Sequence, residues 1–324
     1  MAIEKVLVIG NRDIARSIVG ALSSAPRLTE KCPSYRISML TWGSQTPYLP
    51  HDVPPGSITH KTSDFTSSSL EAAFKGEDVI IITVSGGSYK SQTTIIEAAI
   101  AAGVKRFVPH EFGYDTLNLA VQQRVYGGVE RAAIIERLRN EGSKDGVFLE
   151  WVGVAVGCIL DPMLLNGNLG FDLVWQSGTI NGTGNEAFPV TSLERAGMVV
   201  ESILRHWEEV KNQYVYAAGV ITSGNEIATA LEKNTKSKWC LDHSEVDDCV
   251  REGRSRIERG FLDSGMFLLE RSVLYDEALH AAHPFQHRNV NDLLNLRPET
   301  IHDIVSRVVH DFDHHGKPSC GCGS

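Results

Sequence analysis

Residues 6–22 constrain this chain more than any other stretch. Val6-Leu7-Val8-Ile9 is a short apolar, mostly β-branched run that reads as a strand buried on both faces. Gly10 stops it, and the segment that follows carries Ile14, Ile18, Val19 and Leu22 on one helical face. Strand, glycine turn and amphipathic helix make the first unit of a dinucleotide-binding fold, in which the helix N-terminus receives a pyrophosphate. The expected G-x-G-x-x-G/A is only partly met. Gly10 and Ala15 hold the first and third places, and Arg12 stands where a second glycine would let the backbone approach the phosphates. Gly10, Arg12 and Ala15 are the candidate cofactor-binding residues of this turn if a dinucleotide binds at all.

The rhythm continues beyond it. Strands are expected at residues 36–41, 58–62, 78–83, 106–109 and 148–156, and helices at 67–74, 92–102 (closed by Gly103) and 126–140. This alternation predicts an α/β fold with a doubly wound parallel, Rossmann-like sheet. After Pro162 the chain becomes rich in glycine, with a hairpin expected near residues 179–184, a capped helix at 192–207, a strand at 214–217, a helix at 223–232 and charged helices to 312. The division expected is a core over 1–157, a smaller C-terminal substrate lobe over 158–312 whose strands and helices return to the core, and a flexible tail over 313–324.

A net charge of −9 argues against nucleic-acid binding, which needs a basic footprint. The six cysteines are scattered, as in reduced cytosolic proteins, and no run reaches transmembrane length or forms a secretory signal. A cytoplasmic protein without membrane contact, monomeric or homodimeric, is expected. His310, His314, His315, Cys320 and Cys322 carry metal-capable side chains, but their spacing fits no tetrahedral zinc pattern and no metal is expected.

Several stretches together resemble the NmrA-like and isoflavone-reductase-like family of atypical short-chain reductases. They are residues 6–10, the run Ala-Ala-Gly-Val-Lys-Arg-Phe-Val-Pro ending at Pro109, Glu111-Phe112-Gly113-Tyr114-Asp115, Pro189-Val190-Thr191 before a helix, and Tyr214-Val215-Tyr216-Ala217-Ala218-Gly219. The resemblance covers about residues 1–235 and implies a Rossmann core with a substrate lobe. Catalytic members are NADPH-dependent reductases of small aromatic or alkenyl metabolites, and NmrA itself is a dinucleotide-sensing regulator. It also implies where this chain departs. Trp42 stands where the family places an arginine against the NADP 2′-phosphate, Arg131 replaces the catalytic lysine in the frame running to Leu138, and His110 precedes Glu-Phe-Gly. Ser85 and Gly86 resemble the family's loop over the adenine-side ribose, or are an ordinary turn.

An arginine cannot shuttle protons, though it can hold an oxyanion. These departures lead to the expectation of a small-molecule enzyme with cofactor-independent, non-redox chemistry (isomerisation, cyclisation or elimination). His110 would be acid and base, Arg131 the oxyanion stabiliser, and Tyr126 or Tyr114 a proton donor. The alternatives are an NADPH-dependent reductase, with NADP(H) gripped through Arg12 or Arg16, and a dinucleotide-sensing regulator. The plainer readings are a hydrogen bond from His110 to a loop carbonyl and an ion pair from Arg131 to Glu130 or Asp115. Phe171, Trp151 and Trp175 could line an apolar pocket, with core packing favoured for Trp151, and Asp161 reads more simply as a cap than as a cleft carboxylate.

Overall fold

The computed structural model describes residues 3–26, 34–45, 56–84, 88–141 and 149–315. Its first half alternates β1 (Lys5–Ile9), α1 (Asp13–Ser23), β2 (Arg36–Thr41), β3 (Ile58–Thr62), α2 (Ser67–Phe74), β4 (Val79–Ile82), α3 (Tyr89–Ala101), β5 (Arg106–Val108), α4 (Leu119–Arg124), α5 (Gly128–Glu141) and β6 (Glu150–Ala155). Then follow β7 (Cys158–Ile159), α6 (Leu160–Leu165), β8 (Phe171–Asp172), β9 (Ser177–Asn181), β10 (Phe188–Thr191), α7 (Leu193–Arg205), α8 (Trp207–Val210), β11 (Gln213–Tyr216) and β12 (Val220–Thr222). The chain closes with α9 (Gly224–Thr235), β13 (Cys240–Ser244), α10 (Val246–Glu258), α11 (Leu262–Tyr275), α12 (His283–His287) and α13 (Ile301–His315).

Seven strands form one parallel sheet in the order β11-β6-β5-β4-β1-β2-β3, the doubly wound arrangement expected from the alternation. The order reverses between β1 and β4, so their carboxyl ends open the crevice where such sheets bind ligands. The interior strands feed two cores by simple alternation. Val6 and Val8 of β1 join Ile18, Val19 and Leu22 of α1 and Val199, Val200 and Ile203 of α7. Leu7 and Ile9 join Leu70 and Phe74 of α2, Ile95 and Ile96 of α3 and Ile134 of α5. The four side chains from Val6 to Ile9 are at 0% exposure, which is why that run contains no polar residue.

The second half does not stay apart from the first. β11 pairs with β6 as the seventh strand, and α7 lies against α1. A third core, including Leu160, Leu164, Phe171, Phe188, Ile227, Leu231 and Ile304, holds the smaller lobe, where two three-stranded sheets form (β12-β10-β7 and β13-β9-β8). The expected hairpin at 179–184 lies elsewhere. β8 pairs antiparallel with β9 through the turn at 173–176, where Gln176 adopts φ 47°, and the glycines at 182 and 184 instead wrap the Glu186 carboxylate. Ser192 caps α7 by accepting from the Arg195 N–H, as its sequence context predicts. Helix α13 runs on to His315, so 313–315 are helical rather than tail, and residues 316–324 lie outside the described residues. No helix among the described residues is long and apolar enough to cross a membrane.

The contact between α1 and α7 is close enough to exclude a methyl group. A Cβ at Gly197 would fall on the Ser17 carbonyl and within 2.5 Å of the Ser17 hydroxyl, which itself donates to the Leu193 carbonyl. Overpacking there forces the two helices apart. Gly197→Ala is expected to cost about 1–3 kcal/mol in urea denaturation, and an unchanged midpoint would show that the helices separate freely.

Candidate active site

At the switch point the chain turns on Gly10, whose φ of 127° suits glycine and whose missing Cβ leaves room for Thr83 Oγ1. Thr83 closes the turn from the β4 side by donating both its N–H (3.0 Å) and its hydroxyl (2.7 Å) to the Ile9 carbonyl. Arg12 is the N-cap of α1 and is extended, with no side-chain cap on the helix's first N–H groups. Its own side chain is exposed and makes no hydrogen bond or ion pair with a described residue. Arg16, the other basic candidate, is committed to the turn, its Nε donating to the Asn11 carbonyl at 3.1 Å. Ala15 is buried under the sheet, where its small side chain lets α1 approach the sheet closely. Ser85 and Gly86 lie outside the described residues.

At the ends of β2 and β3, Trp42 stacks flat on Phe65, ring centres 3.7 Å apart and planes 12° from parallel. Trp42 is 41% exposed. Phe65 sits in the left-handed region at φ 60°, a strained state for an aromatic residue that its surroundings must impose. They do so through a chain of hydrogen bonds: the Ser63 N–H donates to the Thr41 carbonyl, the Phe65 N–H to Ser63 Oγ, and the Thr66 N–H and hydroxyl to Asp64.

Beyond β5 lies the polar cluster. His110 follows Pro109 at the strand's carboxyl end, and its ring meets that of Phe112 edge-on at 6.0 Å. Its Nδ1 is buried without a partner among the described residues, and none of their carbonyls accepts from it. Burial first, and the Arg131 guanidinium second, push the imidazole down to about 4, so it is neutral at pH 7 rather than poised near neutrality as the sequence suggested. Arg131, in the first turns of α5, is half-buried and forms no ion pair with Glu130, Asp115 or any other described residue. Its charge is nonetheless felt by His110, Glu111, Tyr114 and Glu270, which places it at the centre of the cluster.

Glu111 is the group that residue-type reasoning passed over. It is 2% exposed, burial raises its carboxyl to about 7, and Arg131 only partly offsets that. The Tyr214 hydroxyl donates to it at 3.2 Å and is in turn held by the Thr116 N–H at 3.0 Å. Glu270 reaches the cluster from α11, its carboxyl also raised by burial. The Arg124–Asp276 ion pair (2.7 Å) and the hydrogen bond from Arg124 to Ser272 (3.1 Å) tie α4 to that helix. No local pattern marks Glu270, because only the tertiary fold brings α11 over the strand ends. The Glu-Phe-Gly motif did mark Glu111, which follows His110 directly.

The proposed proton donors differ from one another. Tyr126 stands 53% exposed after α4, whereas Tyr114 is buried against Cys158, with its phenol pushed well up by burial. Tyr114 also lines a hollow of about 350 Å³ with Phe188, His280, His283 and Gln286. Of the aromatic candidates, Trp151 and Phe171 are core residues and Trp175 is 79% exposed, so none of the three lines this hollow. Asp161 caps α7 by accepting from the Leu193 N–H at 2.8 Å. Among the described residues no group of three metal-capable side chains converges.

Residues 56–145 match the family model described as the NmrA-like family. The chain is 28% identical over 310 residues to a protein of Aspergillus flavus named oxidoreductase aprR, covering 94% of this chain and 98% of that one. A solved leucoanthocyanidin reductase–NADPH complex from Vitis vinifera shares the fold with a TM-score of 0.72 at 15% identity, over 94% of this chain and 99% of that one. A solved isoflavone reductase does so with a TM-score of 0.67 at 17% identity and the same coverage.

The raised Glu111 carboxyl has a consequence for stability. Between pH 4.5 and about 7 the unfolded chain loses this proton while the folded one keeps it, so the contribution of Glu111 to stability falls as pH rises through that window. Glu111→Gln cannot ionise, so relative to wild type it is expected to gain about 2–3 kcal/mol on going from pH 4.5 to pH 8, at ~1.4 kcal/mol per pH unit. Parallel denaturant titrations at the two pH values check this, and an equal offset at both would disprove it.

Proposed function

We propose that this chain, which belongs to the NmrA-like family of isoflavone-reductase-like proteins, is an NAD(P)H-dependent oxidoreductase acting on a small organic molecule. The observation that supports it most is the open N-terminus of α1 at the β1/β4 switch point. Its first N–H groups receive no cap from the Arg12 side chain, Gly10 removes the Cβ beside Thr83, and Arg12 has no partner among the described residues. An uncapped helix end with an unpaired guanidinium is suited to a diphosphate. The residues therefore fit a dinucleotide, with Arg12 supplying charge where the missing second glycine would have supplied closeness. The full-length likeness to a named oxidoreductase supports the same reading, and the expectation of cofactor-free chemistry gives way to it.

A bound nicotinamide supplies or accepts hydride, and the chain's own residues do the rest. Arg131, half-buried and without an ion pair among the described residues, holds the substrate oxygen on which negative charge develops, worth most where water is excluded. Glu111, with Tyr214 behind it, keeps a carboxyl beside that guanidinium that is partly protonated at neutral pH. His110 adds a buried, uncharged imidazole to the cluster, and Tyr126 offers an exposed hydroxyl ahead of α5.

One observation favours a second reading, a non-redox isomerisation or elimination. A guanidinium stands in the lysine's place, and it stabilises an enolate without relaying a proton.

Nicotinamide fluorescence on titration with NADPH and NADH separates the two. Micromolar binding of a reduced dinucleotide is expected, and no binding of either would overturn the oxidoreductase reading. In an assay following coenzyme oxidation with a panel of aryl ketones and enones, Arg131→Ala is expected to lower kcat/KM by about 10²-fold or more with little change in Tm. His110→Ala is expected to lower the rate likewise without unfolding the protein. Wild-type rates in both variants would show the site to be elsewhere.

A further inference from the structure

We propose that the Trp42–Phe65 stack seats the adenine ring of the coenzyme, and that this chain consequently binds NADH at least as tightly as NADPH. The inference rests on the dinucleotide-dependent reading above and adds coenzyme selectivity to it.

In a doubly wound sheet the adenosine half of a dinucleotide lies beyond the carboxyl end of the second strand, where a side chain reads the ribose 2′ position. Trp42 directly follows Thr41, the last residue of β2. Selecting a 2′-phosphate there needs a cation, best an arginine fork matching the phosphate oxygens. An indole has no charge and no fork. What it offers is a flat face, and its other face is already covered by Phe65 at 3.7 Å while 41% of the residue remains open. Purine rings stack on such a surface whatever the 2′ substituent.

Two further observations fit. The left-handed Phe65 is pinned by the Ser63 and Asp64 hydrogen bonds, so the fold holds strain at this loop to lay one ring flat under the other. The Asp64 carboxyl, next to Phe65, is held below the usual carboxylate range by the Thr66 N–H and hydroxyl, and it opposes a phosphate dianion at neutral pH. Nearby on β3, Lys61 is engaged by Glu77 at 2.7 Å and by the Ala73 carbonyl at 2.6 Å. Arg12 stands at the α1 N-terminus, the place of the pyrophosphate.

Calorimetric titration of the full chain with NADH, NADPH, 5′-AMP and 2′,5′-ADP tests this. NADH is expected to bind at least as tightly as NADPH, and 5′-AMP at least as tightly as 2′,5′-ADP. Trp42→Ala is expected to weaken all four by about tenfold or more, Trp42→Phe to restore most of the loss, and Trp42→Arg to shift the preference toward NADPH. Wild-type affinity in Trp42→Ala overturns the adenine seat. A wild-type preference for NADPH beyond the error of the titrations overturns the selectivity while leaving the oxidoreductase reading intact. If the wild type binds neither coenzyme, both readings fall together.

Discussion

Everything in this structure depends on β1 being buried from both sides. Four residues supply two cores by alternation, with Val6 and Val8 facing α1 and α7 and Leu7 and Ile9 facing α2, α3 and α5. At about 1.5–3 kcal/mol for each fully buried aliphatic side chain, the strand anchors both layers at once. The crevice at its carboxyl end is a by-product of that anchoring. Gly10 ends the strand because the backbone must turn over Thr83, and the turn leaves the α1 N-terminus uncapped above the sheet.

The polar cluster beyond β5 is governed by desolvation rather than by pairing. Burial pushes His110 down and Glu111, Tyr114 and Glu270 up, so each of these groups is driven toward its neutral form. Arg131 is left as a cation among groups that burial drives toward their neutral forms. A guanidinium without an ion pair to any described carboxylate keeps its capacity to attract an anionic or strongly dipolar oxygen. An arginine in such surroundings can hold a charge but cannot move a proton.

Much of the core was legible because its signals are local. The runs expected at 36–41 and 78–83 cover the two strands that flank β1, the run at 58–62 is the strand beyond β2, and the 192–207 reading overlaps α7, which begins after its Ser192 cap. The misplaced hairpin shows where locality fails. Gly182 and Gly184 looked like a turn between paired strands, but they accommodate a buried carboxylate, while the real β8–β9 reversal uses a left-handed Gln176 that sequence does not flag. In the site, His110 and Arg131 were visible through motif positions. The protonation state of His110 was not, because it depends on burial and on a charge 21 positions away in sequence. Glu270 and the Trp42–Phe65 stack were invisible for the same reason, since residues distant in sequence meet only when helix and sheet are assembled.

The return of the chain to the sheet through β11 has a bearing on biosynthesis. β11 pairs with β6 only after the chain has passed through β7–β10 and α6–α8. A ribosome emitting this protein therefore exposes the free edge of β6, with Val152 and Val154, while some 60 further residues are made, several seconds at ordinary elongation rates. An open apolar strand edge is a template for pairing with another chain. The nascent protein thus passes through a window in which it relies on dilution or on chaperone cover, a vulnerability that the finished seven-stranded sheet no longer displays.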